Sequence, residues 1–101
     1  METTIIFQGR GGQIVFFDEK DKKCFSWVLS LLPYHMRNDL KTYERCGRAL
    51  RWYFTSKTVT VILETWEWSA EQIAKFVCMC YDSYFRRRYK CEGKQLEYSI
   101  T

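Results

Sequence analysis

The chain has 101 residues, of which 47% are hydrophobic and 18% aromatic, and its formal net charge is +4. So many aromatic residues exclude a disordered chain, and this length has room for one domain, residues 1–101, with a modest core. The charge is mildly basic and fits a nucleic acid, an acidic protein surface or neither.

The N-terminal segment METTIIFQGRGG lacks the basic region and long apolar stretch that mark a signal peptide. No run approaches the roughly 18 apolar residues that span a membrane. Without a secretion signal, the five cysteines are expected to be free thiols in a reducing compartment. We therefore expect a cytoplasmic protein with no membrane partner.

Two β-favouring runs come first, TIIFQ at 4–8 and QIVFF at 13–17, and they predict an N-terminal hairpin with a glycine-rich turn. That turn does not fit a phosphate-binding loop, because the motif ends in Lys-Ser or Lys-Thr and leads into a helix. The charged stretch 18–23 predicts a solvated loop. Residues 25–32 fit a helix or a strand, and the following Pro33 favours the helix.

Residues 34–47 have apolar side chains at helical spacing, and Gly47 is placed as a stop, so they predict a helix. Cations recur along this segment and would form one stripe on the helix surface. Together with one residue of the next element they make up the basic stripe: Arg37, Lys41, Arg45, Arg48 and Arg51. Residues 34–57 hold six cations and two carboxylates, a net charge of +4, so this stripe is the leading candidate for partner binding.

Residues 49–65 predict a second hairpin. With Ser56 and Lys57 as its turn, three apolar pairs fall on one face of the ladder. These pairs are Phe54 with Val59, Trp52 with Val61, and Leu50 with Leu63. The other face carries Arg51, Tyr53 and Thr60, with Ile62 opposite Arg51. Trp66 is out of phase with the apolar residues and is expected to project from that other face.

Ser69 and Gln72 form a capping box, which predicts a long capped helix over residues 69–90. An apolar stripe at i, i+3, i+4 spacing marks its buried face, and residues 95–101 predict a final strand. Arg88 falls under the apolar stripe and is expected to extend outward to solvent. The secondary partner-binding set consists of Arg86, Arg87, Lys90, Trp66 and Tyr53.

This order of elements predicts an α+β fold. We expect a single two-layer domain with a largely antiparallel sheet, built from two hairpins and a C-terminal strand. Helices would cover one face of the sheet, and the other face would be open to a partner.

The sequence carries no recognisable catalytic or metal centre. Cys78 and Cys80 lie two residues apart on the predicted helix, so their thiols point about 200° apart and cannot share a metal. A cysteine–histidine pair would need His35, the single imidazole, and no local motif marks its partner. We therefore predict no metal, no cofactor and no enzymatic activity.

The remaining function is binding. We predict a small non-enzymatic binding or inhibitor protein that acts on a protein or nucleoprotein complex. Phage- or virus-type inhibitors of host nucleases or CRISPR complexes share its size, charge and aromatic content, which is an analogy of type only. The alternative is direct binding of single- or double-stranded nucleic acid, with cations for phosphates and tyrosines for base stacking. An enzyme with an unrecognised Cys/His site is the third alternative.

Overall fold

The computed structural model describes residues 2–32, 35–37 and 42–101, with the backbone alone described for 35–37 and 42–44. In chain order the elements are β1 (Glu2–Gly9), a 3-10 turn (Arg10–Gly12), α1 (Glu19–Ser30), β2 (His35–Arg37), β3 (Thr42–Glu44), β4 (Gly47–Phe54), β5 (Thr58–Thr65), α2 (Ala70–Tyr89) and β6 (Leu96–Ile100). Of the helices in these ranges, none combines the length and apolarity that a membrane crossing needs.

Four strands form an antiparallel sheet in the order β4-β5-β1-β6. Strand β1 is central: Ile5 lies opposite Val61 of β5 on one side and opposite Ile100 of β6 on the other. Strands β2 and β3 pair in a separate two-stranded ladder. The open sheet and the two helices confirm the predicted two-layer α+β class.

The core lies between the sheet and the two helices, and Phe25 of α1 is at its centre. The ring centroid of Phe25 lies 5.4 Å from that of Phe7, 5.6 Å from Phe16, 5.9 Å from Phe54 and 5.6 Å from Tyr81. All four pairs are edge-to-face, a favourable arrangement of ring quadrupoles. These contacts join both helices, the sheet and the segment before α1. Other fully buried members are Ile5, Val15, Leu32, Val59, Val61, Leu63, Ile73, Ala74 and Val77.

The predicted N-terminal hairpin is wrong. Residues 13–17 form no strand, because the 3-10 turn at Arg10–Gly12 contains two glycines with positive φ that redirect the chain. The segment passes the β4–β5 turn, where the N–H groups of Val15 and Phe16 both donate to the Ser56 carbonyl, at 3.0 and 3.1 Å. Both side chains are buried, so the β-favouring composition of this run reflects its place in the core.

The predicted loop at 18–23 is also wrong, because these residues start α1. Asp18 is the N-cap, and its side chain accepts a hydrogen bond from the Asp21 N–H at 3.1 Å. The helix that we favoured for residues 25–32 is confirmed through Ser30. The charged residues predicted a solvated segment, but Asp21, in the middle of the charged stretch, is fully buried.

The predicted helix at 34–47 is wrong as well. The described parts of this stretch are the strands His35–Arg37 and Thr42–Glu44, which pair antiparallel, and Met36 lies opposite Tyr43 in their register. Residues 38–41 lie outside the described residues. The helical periodicity rested on only three apolar positions, too few to separate a helix from a short hairpin.

The second hairpin is confirmed. Phe54 lies opposite Val59 and Trp52 opposite Val61, as predicted for a turn at 56–57. Thr55 stabilises this turn, because its hydroxyl accepts hydrogen bonds from the N–H groups of Lys57 and Thr58, at 3.2 and 2.9 Å.

One pair of this hairpin differs from the prediction. Ala49, not Leu50, lies opposite Leu63, because a β-bulge falls between Ala49 and Arg51. The additional residue reverses the alternation of the strand. Arg48 therefore shares a face with Arg51, which it would not do in a regular strand.

The long helix is confirmed with its capping box. The Ser69 hydroxyl accepts from the Gln72 N–H at 3.2 Å, and the Gln72 side chain accepts from the Ser69 N–H at 2.9 Å. The helix ends at Tyr89, and Lys90 takes the left-handed conformation with φ 53°. The predicted last strand is confirmed as Leu96–Ile100.

Candidate interaction surface on the open sheet face

The face of the sheet that points away from the helices carries alternate residues of its four strands. The strand register arranges them in four rows. The rows are Arg48, Glu64 and Glu2; Arg51, Ile62 and Thr4; Tyr53, Thr60, Ile6 and Ser99; and Thr58, Gln8 and Glu97.

The edge strand β4 contributes three exposed side chains to this face. Tyr53 is 59% exposed, and Arg48 and Arg51 are exposed as well. Ile62, diagonal to Tyr53 on β5, and Ile6, beyond Thr60 in the row of the tyrosine, are half-buried apolar residues of the same face. An apolar centre inside a polar rim is the arrangement of protein interfaces.

A cation and an indole ring extend this surface past the N-terminal end of β4 and the C-terminal end of β5. The Arg45 guanidinium lies 4.8 Å from the centroid of the Trp66 ring, within cation–π range. Trp66 is held in place because its indole N–H donates to Glu64 at 2.5 Å. Since Glu64 lies opposite Arg48 in the ladder, Trp66 belongs to the same end of the open face. We call Arg45, Arg48, Arg51, Tyr53 and Trp66 the open-face cluster.

The predicted basic stripe is therefore brought together in part, by a sheet and not by a helix. Arg45, Arg48 and Arg51 all belong to the open-face cluster. Arg37 lies in β2, where the backbone alone is described, and Lys41 lies outside the described residues.

The secondary set divides between the two layers. Tyr53 and Trp66 join the open-face cluster, whereas Arg86, Arg87 and Lys90 belong to the helix on the opposite layer. Arg86 donates to the Gly93 carbonyl at 3.2 Å, and Arg87 donates to the Ser83 carbonyl at 3.3 Å. The two arginines contact the carbonyls of their own helix and of the turn after it, as expected for cations near a helix C-terminus.

The interpretation of Arg88 as a solvent-directed side chain is wrong. Its guanidinium binds Asp18 through two hydrogen bonds, of 2.8 and 2.6 Å, and Asp21 through one of 2.6 Å. Asp21 also accepts from the hydroxyls of Tyr84 and Tyr89, each at 2.6 Å. This carboxylate–arginine–tyrosine cluster joins the start of α1 to the end of α2.

The ionisation of this cluster follows from its contacts. The hydrogen bonds from Arg88 lower the pKa of Asp18 to about 2. Burial raises the pKa of Asp21, but the donors Tyr84, Tyr89, the Phe17 N–H and Arg88 outweigh burial and hold it below its usual range. Both carboxylates are thus ionised at neutral pH and bound by donors from the same chain, which indicates a structural role.

Three of the cysteines, Cys24, Cys78 and Cys80, lie in surroundings that disfavour the reactive thiolate. None of the five cysteines, all of them among the described residues, is joined in a disulfide. Burial raises the pKa of Cys78 to about 12 and also raises those of Cys24 and Cys80, whereas a nucleophilic cysteine needs a lowered pKa. Within the described ranges, no group of three or more His, Cys, Asp and Glu residues is arranged to hold a metal.

We expect Cys78 in the native protein to react with iodoacetamide at pH 8 at least about a hundredfold more slowly than in denaturant, because its thiolate is scarce. Timed alkylation followed by mass spectrometry of the peptides measures this rate. Equal rates in native and denaturing buffer would contradict the expected burial of this thiol.

Comparison of the chain with protein-family models, with curated proteins and with solved structures finds no match in any of the three. The functional proposal consequently rests on the geometry and charge of the protein's own surface.

Proposed function

We propose that the protein is a small non-enzymatic binding protein that contacts a protein or nucleoprotein partner through its open sheet face. The observation that supports this is the exposed Tyr53 ring beside Arg51, on a face that also carries the half-buried Ile62 and Ile6. Tyrosine, tryptophan and arginine supply most of the binding energy in protein interfaces. The open-face cluster contains all three types along the β4 edge of the sheet, with Arg48 and Trp66 toward one end and Tyr53 toward the β4–β5 turn.

Mixed charge favours a protein partner over a bare nucleic acid. The row that contains Arg48 continues with two carboxylates, Glu64 and Glu2, and Glu97 lies at the far end of the face. Carboxylates on the same face as the cations would repel a phosphate backbone. A protein surface with charges of both signs can complement such a pattern, and this complementarity selects the partner.

A nucleic-acid-handling complex is the partner class that we propose, because the cationic end of the face suits a surface that normally holds or resembles phosphates. In this proposal the protein would occlude that surface, as a phage- or virus-type inhibitor of a nuclease or CRISPR complex does. The support for the inhibitor role is the small size, basic charge and aromatic content of the chain.

Direct nucleic-acid binding is the second candidate, favoured by the Arg45–Trp66 stack and by the exposed Tyr53 ring farther along β4. Affinities for short single- and double-stranded DNA and RNA across a salt series test it. Each neutralised phosphate of duplex DNA would steepen the log–log slope by about 0.9. Absence of binding at about 100 µM and low salt, the weak end of non-specific affinity, would remove this candidate.

For the protein partner, we expect Tyr53→Ala to weaken binding about thirtyfold, the effect of losing an interface anchor of about 2 kcal/mol. The partner would be captured from extract of the cells in which the chain acts, identified by mass spectrometry, purified and titrated. Lys23→Glu, on the exposed side of α1, is the control and should leave the affinity unchanged. Equal affinities of wild type and Tyr53→Ala would exclude the open face as the binding surface.

A further inference from the structure

The outer edge of β6 offers unpaired backbone groups. In the described part of the chain, β6 pairs only with β1. The Thr101 N–H donates to the Thr4 carbonyl at 2.9 Å, so in this antiparallel ladder the odd-numbered residues of the strand direct their backbone groups toward β1. Tyr98 and Ile100 consequently direct their N–H and C=O groups outward, where these groups can hydrogen-bond to an added strand.

A groove of about 460 Å³ lies beside this edge, between β6 and α2. Cys78 and Met79 of the helix line it, and Met79 is 62% exposed. Methionine adapts its shape to different apolar side chains, which suits a surface that receives them. The groove therefore combines hydrogen-bonding groups on one wall with an apolar surface on the other.

Three cations line the same groove: Lys75, Arg86 and Lys94. Its two carboxylates are turned to other partners. Asp82 is buried and accepts the N–H groups of Gln95 and Leu96, at 3.2 and 2.9 Å. Glu97 accepts from the Gln8 side chain at 3.2 Å, on the open face of the sheet. Lys75 is paired with Glu71 at 3.7 Å, so the positive charge available to an incoming chain comes from Arg86 and Lys94.

We propose that the outer edge of β6 and this groove bind an extended, acidic segment of another protein by strand addition. The segment would pair with the backbone of Tyr98 and Ile100, and every second side chain would enter the groove. Carboxylates there would meet Lys94 and Arg86, and apolar side chains would meet Met79. A second copy of this chain is a poor occupant, because its own β6 would bring the same three cations against the first set. This surface is separate from the open-face cluster.

The test uses a synthetic blocked peptide, acetyl-(Val-Glu)3-amide, and follows the backbone amides of the isotope-labelled protein by NMR. We expect saturable shifts centred on Tyr98 and Ile100, with Arg51 and Tyr53 unaffected. The matched peptide acetyl-(Val-Lys)3-amide should bind at least about tenfold more weakly, because it places like charges in the groove. A glutamate peptide that is N-methylated on the residues facing β6 should also lose binding.

Two variants separate the backbone and the charge contributions. Ile100→Pro removes one outward N–H and leaves the β1 ladder intact, so we expect about fivefold weaker binding, the value of one hydrogen bond. Lys94→Glu changes an exposed side chain and should weaken binding about tenfold or more. Lys57→Glu, at the distant β4–β5 turn, is the matched charge reversal and should have no effect.

No shift at Tyr98 and Ile100 up to about 1 mM peptide, a weak-affinity limit, overturns the proposal. Equal binding of the lysine and glutamate peptides, or binding that Lys94→Glu leaves unchanged, overturns it as well. Because the open-face cluster takes no part in this experiment, such a failure would leave the proposed function standing.

Discussion

Replacing Asp21 with alanine is expected to lower the free energy of unfolding by about 3–5 kcal/mol, the cost of breaking a buried charge pair from one side. Asp21 is completely buried and accepts hydrogen bonds from Arg88, Tyr84, Tyr89 and the Phe17 N–H. Removal of the carboxylate leaves these donors without their acceptor at a buried site, where water does not easily replace it. Urea unfolding followed by far-UV circular dichroism measures the loss.

Asp18→Ala is the comparison, because Asp18 binds the same arginine but its side chain is 49% exposed; its loss includes that of the N-cap of α1. Its effect should be clearly smaller than that of Asp21→Ala. Asp21→Asn keeps the shape of the side chain but removes the charge and replaces one acceptor oxygen with a donor amide, so it should also destabilise the protein. A loss below about 1 kcal/mol for Asp21→Ala would contradict the structural role of the cluster.

The same cluster predicts an acid-dependent stability. The pKa of Asp18 is about 2 in the folded protein, against about 3.9 in an unfolded chain, and that of Asp21 is also lowered. The unfolded state binds more protons in this range, so the stabilisation is present above about pH 4 and is lost as the pH falls toward 2. Burial raises the pKa of Asp82, so its contribution to the free energy of unfolding changes with pH in the opposite direction.

We expect Arg88→Met to separate these contributions, because it removes the donor to Asp18 and leaves Asp82 in place. The stability difference between wild type and Arg88→Met should shrink as the pH is lowered from 5 to 2, a window set by the two pKa values of Asp18. Urea midpoints at a series of pH values measure it. A difference that stays constant or grows in acid would show that the pair is not coupled to proton binding.

Phe25→Ala is expected to cost about 3–5 kcal/mol, as for other buried aromatic residues reduced to alanine. Phe25 is fully buried and contacts rings from β1, β4, α2 and the segment before α1. The lost ring would leave a cavity at the point where both helices meet the sheet. Because the stability of a domain is typically about 5–15 kcal/mol, this variant is expected to lie near the limit of folding.

Phe17→Ala is the comparison for this core prediction. Phe17 also contacts aromatic rings, those of Phe85 and Tyr89, but it is 57% exposed. Its replacement should lower the free energy of unfolding by about 1 kcal/mol or less, because folding removes little of the apolar area of this side chain from water. Equal losses for the two phenylalanines would mean that the core is not centred on Phe25.

The elements that the sequence predicted correctly are those with signals confined to a few neighbouring residues. The capping box of Ser69 and Gln72 depends on residues three apart, and the helix begins there. The pairs of the second hairpin follow from the two-residue period of strands and the turn at Ser56 and Lys57. The runs at 13–17 and 18–23 were misread because their structure is set by burial among distant elements.

The open-face cluster was predicted in part and for the wrong geometric reason. Arg45, Arg48 and Arg51 were expected to share a helix surface with Arg37 and Lys41, whereas Arg48 and Arg51 share a face of β4 because of the bulge near Leu50. A bulge is one additional residue in a ladder and has no reliable sequence pattern. The partners of Arg88 were missed because they lie 67 and 70 positions away.

The most direct test of a protein-binding open face is photo-crosslinking with p-benzoylphenylalanine at position Tyr53, compared with the same group at Lys23 on α1. In extract of the cells in which the chain acts, position 53 is expected to crosslink to a discrete protein, and Arg51→Glu should abolish that crosslink. Position 23 should give none. A crosslink from position 23 alone, or one from position 53 that nuclease removes and protease does not, would contradict the account.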